Sequence, residues 1–117
     1  MKGRINITNI TITNDVIKCE GHASNDVACA MLTALTVSLA DSLVNLYAAD
    51  VDCVLDRGFF EMTIRGPLHD DSDAMIMNSR LGIIFALISS YVYSVKKLAL
   101  SRPEDFTVTD VSNFLKP

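Results

Sequence analysis

Isoleucine and threonine interleave between Arg4 and Thr13, a pattern that suits a half-buried strand. Ile5 and Ile7 share one parity and Ile10 and Ile12 the other, so the phase slip predicts a bulge near Thr8-Asn9. Asn14-Asp15 predicts a hairpin turn. Val16 to Glu20 then forms the return strand, with Ile17 and Cys19 on one face, and Gly21 ends it. From Val27 to about Ala49 the spacing becomes helical. Ala28, Leu32, Leu35, Leu39, Leu43 and Leu46 make one apolar stripe, beside a more polar stripe of Cys29, Thr33 and Thr36. Ser24, Asn25 and Asp26 are all suitable N-cap residues.

The rhythm then repeats. Val51 to Leu55 reads as a short strand, Asp56-Arg57-Gly58 as a turn and Phe59 to Arg65 as its partner, closed by Gly66-Pro67. An acidic loop, Leu68 to Asp73, leads into a second helix from about Asp73 to Leu100, capped by Ser72 or Asp73. Arg102-Pro103 breaks that helix. Phe106 to Val111 suits one more short strand, and the last residues read as a tail. The expected fold is α+β: a two-layer sandwich with an antiparallel sheet, β-β-α-β-β-α order and both helices on one face.

For a chain of 117 residues with half of them hydrophobic, one domain spanning 1–117 is expected, with enough apolar surface for a core. The formal charge of -4 and the scattering of the basic residues argue against direct nucleic-acid binding, which needs a basic face. The three cysteines, Cys19, Cys29 and Cys53, form no CxxC pair, so free thiols in a reducing cytoplasm are expected. The start of the chain lacks the apolar block of a signal peptide. Leu81 to Val95 is nearly charge-free, but its length of about 15 residues falls short of a bilayer span. A buried or dimer-facing helix is expected there rather than a membrane segment. Ile83, Ile84, Leu87, Ile88, Tyr91 and Val95 make a wider apolar surface than one sheet face would cover, which predicts a homodimer interface.

Chemistry concentrates in Gly21 to Ala30. His22 stands at the end of a predicted strand and Cys29 in the first turn of a predicted helix. Imidazole can take a thiol proton, and the positive end of a helix favours the thiolate. The helix start also supplies candidate oxyanion donors. Taken alone, Cys29 also reads as a small buried residue and His22 as a strand-end side chain bonded to nearby backbone. Asp26 suits an N-cap better than a third catalytic group, since a carboxylate beside the thiol opposes its ionisation. Thr33, one turn after Cys29, suits either site lining or a bond back to its own helix. Cys19, Cys29 and His22 form an incomplete zinc set, so no metal or other cofactor is expected. Cys53 reads as packing in an apolar strand, and His69 as a solvated loop residue. Asp70, Asp71 and Asp73 read as a solvated loop, with attraction for a basic substrate as the second reading.

These residues resemble the Prp family, the ribosomal-processing cysteine proteases of bacteria, with relatives in phages. Gly21-His22-Ala23 matches the family's strand-end pattern. Asp26-Val27-Ala28-Cys29-Ala30 matches its helix start, and Thr33-Ala34-Leu35-Thr36 the continuation. The loop between His22 and Cys29 is shorter than the glycine-containing segment typical of the family. Ala28 replaces a larger residue, and Thr33 stands where Ser is usual. The resemblance implies that Cys29 is the nucleophile, that His22 is its base and that the protein is a homodimer. It implies an endopeptidase that removes a short N-terminal extension from large-subunit ribosomal protein twenty-seven or from a phage structural protein. The rival expectation is a non-catalytic, dimeric interaction or assembly module that keeps the fold.

Overall fold

The computed structural model describes residues 7–22, 26–47, 49–65 and 74–115, with the side chains of 74–80 excepted. The chain runs β1 (Thr8–Ile12), β2 (Val16–Glu20), α1 (Asp26–Asp41), a π-helical turn (Ser42–Leu46), β3 (Val51–Asp56), β4 (Phe59–Ile64), α2 (Ala74–Ser101) and β5 (Phe106–Asp110). The five strands form one sheet in the order β3-β4-β2-β1-β5.

Register explains why one face of this sheet is apolar. Ile10 pairs with Cys19 and Ile12 with Ile17, while Ile17 pairs with Met62 and Cys19 with Phe60. Residues directly opposite share a face, so the six make a continuous apolar row. All six are buried. The other face carries Thr11, Lys18, Glu20, Glu61 and Thr63, the polar side expected of a sheet covered once. Against the apolar row lie Ala28, Leu32, Leu39 and Leu43 from the first helical segment and Ile84, Ile88, Tyr91, Val92, Val95 and Leu98 from α2, in one core. The fold is therefore the expected two-layer α+β sandwich. By length and composition Asp26–Leu46 and Leu81–Ser101 are each long and apolar enough to cross a bilayer, and both contribute inner faces to this core.

Four details differ from the sequence reading. The sheet is mixed, because β5 lies parallel to β1 while every other pair is antiparallel. The expected bulge at Thr8-Asn9 is absent: both residues pair in register with Phe106 and Thr107. Thr8, 4% exposed, takes the inward position ahead of Ile10, so a threonine continues the inward parity of Ile10 and Ile12. Leu46 leaves the apolar stripe and is 71% exposed. The helix widens before it, with the Tyr47 amide donating to the Ser42 carbonyl, and the wider turn rotates the following side chains out of phase. The C-terminal segment also docks. Ser89 Oγ donates to the Phe114 carbonyl at 2.8 Å, and the rings of Phe85 and Phe114 lie 5.6 Å apart.

Candidate active site

His22 is delivered by a constrained strand end. Gly21 has φ +98°, and a Cβ there would lie 2.5 Å from the Ile7 carbonyl oxygen. Only glycine meets both conditions without strain. Its amide donates to the Gly58 carbonyl at 2.9 Å, and its own carbonyl accepts from Thr8 Oγ1 at 3.3 Å. The chain is thus held between β1 and the β3–β4 turn immediately before His22, whose side chain is exposed.

Cys29 comes from the first turn of α1 and is half-buried. Cys29 and His22 line the same cavity of about 100 Å³, although they sit on different elements. Thr33 lines it one turn further along α1. Asp26 begins α1, where a carboxylate complements the helix dipole. It is exposed and is not among the side chains lining the cavity. His69, Asp70, Asp71 and Asp73 lie outside the described residues.

Several lining residues were not foreseen as part of a site. Leu55, Asp56, Gly58 and Phe59 of the β3–β4 hairpin form one wall. A leucine directly before the Asp56-Arg57-Gly58 turn was the available sign, yet sequence alone does not say which hairpin meets which helix. Cys19 and Thr36 lie at the interior side of the cavity. Both bond Tyr91: its hydroxyl is 2.9 Å from Thr36 Oγ1 and 3.7 Å from Cys19 Sγ. Burial raises the Cys19 pKa, against the lowering effect of its bonds to Tyr91 and Thr36, and burial likewise raises that of the Tyr91 hydroxyl. Cys19 is therefore a protonated thiol at neutral pH.

Cys53, expected as packing, is exposed. It pairs with the buried Met62 and so shares the helix-covered face, but β3 is the sheet edge and its residues from Asp52 to Asp56 are exposed. Among the described residues, no group of three His, Cys, Asp or Glu side chains is placed to hold a metal ion.

No protein-family profile matches the chain, and no curated protein matches it by sequence. Solved structures do match. SMU.848 from Streptococcus mutans superposes with a TM-score of 0.68 at 17% identity, covering 92% of this chain and 96% of that one. The essential ribosomal processing protease Prp from S. aureus, in complex with a substrate peptide, gives 0.63 at 14% identity over 89% of this chain and 97% of that one. The same protease with a covalently linked product peptide gives 0.61 at 15% identity over the same shares. The chain has a Prp-like fold.

Proposed function

We propose that this protein is a cysteine endopeptidase acting on a peptide extension of a ribosomal or virion protein. The observation that supports the reading is that His22 and Cys29, from separate elements, line one cavity within a Prp-like fold. His22 accepts the proton from Cys29 Sγ, and the thiolate attacks the scissile carbonyl carbon. The resulting imidazolium returns its proton to the amine nitrogen as the C–N bond breaks, leaving a thioester on Cys29. Water, deprotonated by His22, hydrolyses the thioester, which frees the carboxylate product and the thiol. Leu32, Val37, Leu55 and Phe59 give the cavity a largely apolar lining against which an extended peptide can pack. The protein acts in the cytoplasm as a homodimer.

The test is the alkylation rate of Cys29 against pH, in the native chain and in His22→Ala, followed at that residue by peptide mass spectrometry. The expected result is rapid alkylation near neutral pH that depends on His22, together with peptide cleavage that Cys29→Ala abolishes. Cleavage that survives Cys29→Ala overturns the mechanism. Slow alkylation independent of His22 favours the non-catalytic assembly module.

A further inference from the structure

The hairpin turn Arg57-Gly58 joins β3 to β4 between the paired residues Asp56 and Phe59. Gly58 adopts φ +70°, a left-handed conformation frequent in tight hairpin turns. Asparagine also accepts this conformation at small cost, so the backbone alone does not demand glycine. The second constraint comes from the His22 side chain. A Cβ built on Gly58 would lie 2.5 Å from Nε2, 2.9 Å from Cδ2 and 3.2 Å from Cε1 of His22. The imidazole edge occupies the space that any other residue would fill with its side chain.

We infer that Gly58 is a positioning residue for His22, its bare backbone at the turn being the surface on which the imidazole is seated beside the Cys29 cavity. The inference rests on the reading of His22 as the base. The same turn holds the histidine twice. The Gly58 carbonyl accepts from the amide of Gly21, which fixes the backbone one residue before His22, and the Gly58 Cα lies against the ring. His22 is exposed, so burial does little to select its rotamer, and a general base must be held close to its productive geometry. A side chain at position 58 meets the ring first, since the three heavy atoms nearest to its Cβ all belong to the imidazole.

Gly58→Asn separates the two constraints, because it keeps the left-handed turn and adds the Cβ. Iodoacetamide labelling of Cys29, read by peptide mass spectrometry across pH, is compared in the native chain, His22→Ala, Gly58→Asn and the double variant. The expected result is that Gly58→Asn slows labelling at neutral pH by on the order of tenfold or more and has no further effect once His22 is alanine. A native rate and pH profile in Gly58→Asn, alongside slow labelling in His22→Ala, overturns the inference and leaves the base intact. Equal slowing by Gly58→Asn in both backgrounds also overturns it, since the effect then bypasses His22.

If native labelling does not depend on His22, the base reading has failed instead. The contact is then judged by NMR on the native protein, which needs no variant. A nuclear Overhauser effect between the His22 ring protons and the Gly58 α-protons is expected, and its absence rejects the seat itself.

Discussion

The Tyr91 hydroxyl of α2 and Thr36 Oγ1 of α1 meet at 2.9 Å behind the candidate site. Both residues are buried, and Cys19 Sγ of β2 completes the group at 3.7 Å from the same hydroxyl. One phenol therefore joins both helices to the sheet at the inner wall of the cavity, where Thr36 and Cys19 are 4% and 6% exposed. Tyr91→Phe leaves the Thr36 hydroxyl without that partner and is expected to cost about 1–3 kcal/mol in stability. The double variant Tyr91→Phe with Thr36→Val removes both partners and is expected to lose less than the sum of the single effects. Urea unfolding of the four proteins checks the coupling, and strict additivity would contradict it.

Two glycines are expected to respond oppositely to alanine. Gly82 lies within α2, and a Cβ there meets nothing within 4 Å. Gly82→Ala is expected to stabilise by roughly 0.5–1 kcal/mol through helix propensity. Gly21→Ala meets the Ile7 carbonyl and a positive φ and is expected to destabilise by about 1–3 kcal/mol. Thermal unfolding midpoints of the two variants should fall on opposite sides of the native value.

Asp110 links the last strand to α2. Its Oδ2 lies 2.6 Å from Lys96 Nζ, and its Oδ1 accepts from the Ser112 amide at 2.8 Å. Burial alone would raise its pKa, but the Lys96 and Ser112 bonds outweigh that and hold it below the ordinary carboxylate value. A lowered folded-state pKa stabilises the protein above the unfolded value near 4, and this stability is lost as pH falls through the folded value. Asp110→Asn is expected to cost ~1 kcal/mol at neutral pH, a modest amount because Lys96 remains partly in water. Its unfolding free energy should converge with the native one under acid. A constant difference from pH 7 to pH 2 would remove this account.

Of the six residues whose apolar surface predicted a homodimer, Ile84, Ile88, Tyr91 and Val95 are taken up by the core of the single chain, while Ile83 stays 41% exposed. A homodimer formed through α2 is expected to cover Ile83. Light scattering at micromolar concentration should give twice the chain mass, and Ile83→Asp should shift it toward the monomer. A native monomer at that concentration contradicts the assembly.

Local pattern alone determined the two hairpins, the two helices and the Gly21–Ala30 segment that carries His22 and Cys29. Alternation and helical spacing are short-range consequences of which side of an element faces water, and the strand-end glycine and helix-start thiol lie a few residues apart in the chain. Tertiary structure decided what those elements meet. β5 joins β1 in parallel, roughly a hundred residues from it in the sequence, and that pairing holds Thr8-Asn9 in register where the isoleucine parity predicted a bulge. The position of β3 at the sheet edge leaves Cys53 exposed despite its apolar neighbours. The π-helical turn ends the phase that Leu46 would have followed. The hairpin wall at the cavity, with Gly58 against the His22 imidazole, joins segments with no shared local pattern. Such contacts depend on how whole faces pack and pair, a property of the assembled sheet and helices that no short window of residues contains.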